Sequence, residues 1–251
     1  MKLITILLAA TLVLAGNVMA APQVLVQHNE QYHGYMQLPR LAEVVVAANK
    51  QPGLYWPAAR LFIRSADKLT RLEQQRQQLL QRLTALQQHY HQHREPELAA
   101  ATAQLQQQIS QWQLAEQLLL PLDPDRVRAK PEFNPMLAAG HYLLQVSTRP
   151  TRLSVTGLAL DKSLPLINGT DAADYSRLLT RLAGASTSFL YVLPAARTAI
   201  VAQTGIWNHQ AQQVAPGAVL FVPFEARRLP TAFNDINGQI VELLQHRVGA
   251  E

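Results

Sequence analysis

Few residues of this chain carry chemistry by type and spacing. His89, His91 and His93 form an H-x-H-x-H run, and on a helix His89 and His93 share a face at i, i+4, the spacing of a metal-binding pair. The run falls near the expected tip of a helical hairpin, with Glu95 the one acid close by, so solvated histidines are the expectation and no metal site is assigned. Asp123 with Asp125, or Asp171 with Asp174, would suit the acid and nucleophile of a glycosidase, whose carboxyl groups stand about 5–10 Å apart. Both pairs sit where helices are expected to end or begin. Asp123-Pro124-Asp125 reads as a turn, and Asp171 reads as an N-cap with Asp174 three residues on. Arg126 and Arg128 follow the turn; as alternate positions of an extended segment they face one side, able to bind a turn carboxylate or line an anion pocket. Trp56, and Trp207 beside Asn208, offer flat faces to the C–H surfaces of sugar rings, although core packing is the commoner fate of Trp. No GxSxG elbow, HExxH helix, Walker loop or dinucleotide fingerprint is present. The chain is therefore expected to be no enzyme, with no catalytic residue, no metal and no cofactor.

The frame that must position these groups spans 251 residues, enough for one large domain or two small ones with buried cores. There is no Cys, which excludes disulfides, thiolate metal sites and a cysteine nucleophile. Lys2, the apolar run Leu3 to Leu14 and Val18-Met19-Ala20 have the order of a secretory signal peptide, 1–20, cleaved after Ala20. The run is shorter than the ~20 residues of a spanning helix, so an exported protein is expected, with membrane contact at most peripheral. The formal charge of +5, one unit of it from Lys2, is too small to argue for nucleic acid. Seventeen of the twenty-two basic residues are Arg, which suits acidic glycans or lipid headgroups and equally a solvated surface.

Gln23–His28 and Tyr32–Met36 read as a hairpin, followed by a helix over Leu38–Ala48 with Pro39 in its first turn. From about Ser65 to Leu120 there is no Gly, and Leu69, Leu72, Leu79, Leu83, Leu86 and Tyr90 recur at steps of three and four. Leu98, Leu105, Ile109, Trp112 and Leu119 continue the pattern beyond Pro96, so the segment 65–120 is expected to be a two-armed helical hairpin turning near Pro96. Gly140–Ser147 returns to strand. A second cycle follows: a hairpin from Arg152–Ala159 and Leu164–Ile167, a helix over Ala172–Ala183, then strands Phe189–Leu193, Thr198–Gln203 and Gly217–Pro223. Hairpin, helix and further strands is the order of a small β-grasp domain, met twice. The expected fold is α+β: tandem β-grasp domains at 21–150 and 151–228, the first carrying the inserted hairpin, then an amphipathic C-terminal helix of about 17 residues within 229–251.

Several segments together resemble the GfcC-like capsule biosynthesis proteins. They are Tyr55-Trp56-Pro57-Ala58-Ala59, the Gln-rich hairpin, Leu122-Asp123-Pro124-Asp125-Arg126-Val127-Arg128, Val155-Thr156-Gly157-Leu158, Ile206-Trp207-Asn208-His209, Ala215-Pro216-Gly217-Ala218 and Ile236-Asn237-Gly238-Gln239-Ile240. The resemblance implies a non-catalytic, monomeric periplasmic accessory factor for capsule or exopolysaccharide export across the outer membrane of a Gram-negative bacterium. Its implied partners are polysaccharide export and outer-membrane proteins or the polysaccharide itself. The implied domain arrangement is similar to part of the Wza exporter, with the terminal helix packed on the second domain rather than lining a pore. It also implies a pocket arginine, carried over to Arg128. The candidate pocket is thus Arg128, Arg126, Asp125, Trp56 and Trp207. Ala58 stands where the family pattern often has Gly, which leaves a tight turn there unsupported. Two other functions fit parts of the sequence: a glycan hydrolase using aspartates, and an oligomeric outer-membrane pore subunit.

Overall fold

Alternating burial along Val24–His28 (β1) sets its inward face, and Asn29, at φ 55°, turns the chain into Gln31–Tyr35 (β2). The structure, a computed structural model, describes residues 21–50, 52–207 and 210–249; the expected signal peptide lies outside the described residues. Leu41–Ala48 forms α1, burying Leu41, Val44, Val45 and Ala48 at helical spacing. This helix starts later than expected, because Arg40 bridges Met136 and the Leu137 amide bonds the Pro39 carbonyl, which holds Pro39 and Arg40 extended. Arg60–Arg64 (β3), Glu116–Leu118 (β5) and Gly140–Gln145 (β6) complete the first sheet, in the order β2-β1-β6-β3-β5 with β1 and β6 parallel.

Between β3 and β5 the chain leaves the sheet as two packed helices, Ala66–Gln92 (α2) and Pro96–Ser110 (α3). Arg94, at φ 58°, and Pro96 at the head of α3 make the turn. The second arm is shorter than expected. It stops at Ser110, and Gln113–Leu114 (β4) and β5 are strands, because residues 116–118 must pair with β3; Leu119 therefore belongs to no helix and is exposed.

The second sheet consists of Arg152–Gly157 (β7), Ser163–Pro165 (β8), Phe189–Leu193 (β9), Ile200–Gln203 (β10) and Val219–Val222 (β11), in the order β10-β9-β11-β7-β8. Counted within each sheet, both have the strand order second, first, fifth, third, fourth, with the first and fifth strands parallel. The helix of this half, Ala172–Leu178 (α5), is shorter than the expected Ala172–Ala183. Residues 180–182 pair instead with 158–160, through the Leu160 amide to the Thr180 carbonyl and the Leu182 amide to the Leu158 carbonyl. The C-terminal helix is also shorter than expected. Ile236–Gln245 (α6) has ten residues, Phe233 lies in a separate 3-10 turn, and Arg247–Val248 (β12) pairs with β4.

Two side chains of the hairpin bond backbone at the end of β7 and in the 3-10 turn after β11, and explain why it lies there. The Gln108 amide accepts from the Gly157 N–H (3.2 Å) and donates to the Gly157 carbonyl (3.2 Å), while the Tyr90 hydroxyl donates to the Arg228 carbonyl at 2.9 Å. Leu72, Leu79, Leu83, Leu86, Leu105 and Ile109 share one buried cluster with the second sheet and with Ile236, Ile240, Leu243 and Leu244 of α6. The hairpin thus begins and ends on the first sheet but buries its apolar face in the second sheet's core. Arg82 clamps α6 from outside, with two bonds to the Asp235 carboxylate (2.7 and 2.8 Å) and one to the Ala232 carbonyl. Among the described residues no helix is long and apolar enough to cross a membrane.

Candidate functional site

The segment expected to be a turn and an extended run is a short helix, Pro124–Ala129 (α4). Asp123 caps it, its Oδ1 accepting from the amides of Asp125 (3.1 Å) and Arg126 (2.9 Å), and Pro124 occupies the first turn, where no N–H is needed. Val127 is fully buried in the first sheet's cluster and sets the rotation of α4. Residues two apart on a helix lie about 200° apart, so Arg126 and Arg128 do not share a side, in contrast to the extended reading. Arg126 lies over the Phe133 ring, 5.2 Å from its centroid. Arg128 donates through Nε to the Pro124 carbonyl (3.3 Å) and stands 3.9 Å from Asp125, whose side chain is 96% exposed.

Arg126 lines a cleft of about 550 Å³ between the two sheets, inside the usual range for ligand sites. One wall comes from Trp56 and Pro57, and from Asp123 and Phe133 around α4; the facing wall comes from Pro194–Arg197, Gln212, Gln213 and Pro216. Trp56 is held by its indole N–H to Asn49 Oδ1 (2.9 Å) and is almost wholly buried, so it is core with one edge on the cleft. The 3-10 turn Trp56–Ala58 forms despite the alanine at position 58, closed by the Ala59 amide to the Trp56 carbonyl. Among the described residues the cleft's cations are Arg126 and Arg197, and its one carboxylate is Asp123, already accepting two backbone amides. This arrangement attracts anions and offers no pair of free carboxylates for acid–base hydrolysis.

Of the five expected pocket residues, the cleft therefore brings together Trp56 and Arg126. Arg128 and Asp125 are outside its lining, and Trp207 is 81% exposed in a separate pocket beside Arg177 and Arg181. Asn208 lies outside the described residues. Sequence reasoning missed Arg197. The signal was there, an Arg three residues after the proline that ends an apolar strand (Phe189–Leu193, Pro194), where a loop must turn out of the core. Among the described residues no group of three or more His, Asp or Glu could hold a metal ion; His89 and His93 stack ring on ring, and His93 Nδ1 bonds the His89 carbonyl.

The two halves also meet through direct hydrogen bonds. Arg60, on β3, donates to the Gly217 carbonyl at 3.2 Å, and burial, with Arg247 nearby, pushes its guanidinium down to about 10. The Gln117 side chain donates to the Ala195 carbonyl, and the Gln117 amide donates to His246 Nδ1 at 3.1 Å. These bonds tie β3 to the turn before β11, and β5 to the end of α6 and to the loop that carries Arg197.

The family described as capsule biosynthesis GfcC, N-terminal, matches residues 20–149, and its C-terminal counterpart matches residues 161–249. The chain belongs to the GfcC capsule biosynthesis family. It is similar to the uncharacterized protein YjbG of Escherichia coli (strain K12), at 30% identity over 152 residues, 60% of this chain and 61% of that protein. The chain thus spans less than two thirds of the length of this curated relative.

Proposed function

We propose that the chain is a non-catalytic periplasmic accessory factor for capsule or exopolysaccharide assembly or export across the outer membrane. It acts as a monomer, through the interdomain cleft, on the polysaccharide or on an export or outer-membrane protein. The observation that carries the reading is the cleft itself: Arg126 and Arg197 both line it, with Asp123 already committed to a helix cap. We place the pocket cation at Arg126 rather than Arg128. The secretory pattern of residues 1–20 supports a periplasmic location. The shared strand order supports two β-grasp domains, 21–150 and 151–228, the first interrupted by a helical hairpin and the second followed by the C-terminal helix.

The burial of α6 bears on the pore reading. Ile236, Ile240, Leu243 and Leu244 are at most 2% exposed, and at about 1.5–3 kcal/mol each their release costs on the order of 6–12 kcal/mol. That supports a helix that stays packed. Deleting the gene is expected to remove surface polysaccharide while intracellular precursor accumulates or is unchanged; unaltered surface polysaccharide overturns the proposal. Incubating the purified protein with the native polymer is expected to release no new reducing ends.

A further inference from the structure

Away from the interdomain cleft, a second pocket of about 380 Å³ opens on the second sheet's own surface, lined by residues of α5, of the segment after it and of the loop after β10. Its composition is unusual for a surface hollow. Trp207 and Ile206 stand 81% and 99% exposed on one side, and the floor is Ser176, Thr187, Thr204 and the guanidinium of Arg181. Arg181 is half-buried and fixed by two neutral partners, Nε to the Ser186 carbonyl (2.8 Å) and one terminal nitrogen to Ser176 Oγ. No carboxylate of the described residues lies within ion-pair distance of it. Asp174 pairs with Arg177 on α5, and Glu225 accepts from Ser186 Oγ and pairs with Arg227. Burial alone lowers the pKa of Arg181, which fits a cation held without a counter-charge.

An uncompensated, pre-positioned guanidinium beside hydroxyls attracts an anion with hydroxyl groups of its own, and an adjacent indole face suits the C–H surface of a pyranose ring. A purely apolar partner would leave Arg181 desolvated and unpaired, which is costly. We infer that the Arg181–Trp207 pocket is a second glycan subsite, which takes a carboxylate-bearing pyranose with its ring against Trp207 and its carboxylate on Arg181. The choice of a glycan rests on the capsule reading; the position and the charge preference rest on the pocket.

Trp56 and Trp112 are buried, so acrylamide quenching of the folded protein reads mainly Trp207. A tetrasaccharide of alternating glucuronate and N-acetylglucosamine is expected to shield Trp207 from quenching in a saturable, salt-weakened manner, whereas maltotetraose binds about tenfold more weakly or not at all. Trp207→Ala, an exposed site where folding should be unaffected, is expected to abolish binding measured by calorimetry. Arg181→Lys keeps the charge but loses the fork and is expected to weaken it about tenfold. Trp207 shielding reads this pocket alone, whereas surface polysaccharide in the deletion strain reads the capsule role, so failure here is separable from failure of the capsule reading. Absence of shielding, equal binding of maltotetraose, or full binding by Trp207→Ala overturns the inference.

Discussion

Gly217→Ala tests a packing contact between the two halves. Gly217 has φ +81°, and a Cβ added there would stand 2.4 Å from Ala58 Cβ and 3.2 Å from Ala58 Cα. The left-handed backbone costs an L-residue about 1–2 kcal/mol, and overpacking a filled contact adds about 1–3 kcal/mol, so the variant should lose about 2–5 kcal/mol. With a urea slope of about 2 kcal/mol per M, the unfolding midpoint should fall by roughly 1–2.5 M. The Ala58→Gly substitution removes the overlapping methyl but not the φ cost. The double variant should therefore recover about 1–3 kcal/mol relative to the sum of the singles, a coupling readable by a double-mutant cycle. Gly238, in the first turn of α6 with open space around an added Cβ, is the control: Gly238→Ala should stabilise by up to about 1 kcal/mol. A Gly217→Ala midpoint within error of the parent, or a cycle with no coupling, would refute the packing argument at this contact.

Three further outcomes follow from particular contacts. Leu83→Ala removes a fully buried side chain that the hairpin shares with the second sheet and α6, and should cost about 2–5 kcal/mol, with amide exchange in α6 accelerating together with that in β7; protection of α6 unchanged would count against the shared core. Asp123→Ala should cost about 1 kcal/mol and loosen α4, read by amide exchange at Asp125 and Arg126. Burial pushes His246 below its ordinary value of 6.5, against the pull of Glu116 and Glu242, and its Nδ1 must stay unprotonated to accept the Gln117 amide. The unfolded chain therefore takes up the proton first. The contribution is intact above the unfolded value and is lost as pH falls below it, so the urea midpoint should drop between about pH 7.5 and about pH 5.5, and the drop should shrink in His246→Asn. An equal drop in that variant would assign the effect to other groups, such as His28, which burial also lowers.

The parts of the fold that could be read from sequence are those where burial is one-sided and continuous. Leu72, Leu79, Leu83, Leu86 and Tyr90 all lie on the buried face of α2, so their spacing reported it directly. Ile109 and Trp112 continue that spacing across the end of α3, and both are buried. The helix stops between them only because β5 is needed by β3, a demand that arises from residues more than fifty positions away. The same applies to α5 and α6, whose last expected turns are taken by pairing with Leu158–Leu160 and with β4. In the cleft, Trp56 and Arg126 were visible as residue types. Which arginine of the pair entered the cleft was not, because it depends on Asp123 acting as a cap, which turns a two-residue alternation into a helical rotation of about 200°.

The most direct test of the cleft's role is complementation of a gene-deletion strain with Arg126→Ala and, separately, Arg128→Ala, followed by quantification of surface polysaccharide at matched protein levels. Arg126→Ala is expected to leave surface polysaccharide near the deletion level and Arg128→Ala to restore it. Full restoration by Arg126→Ala would contradict the account.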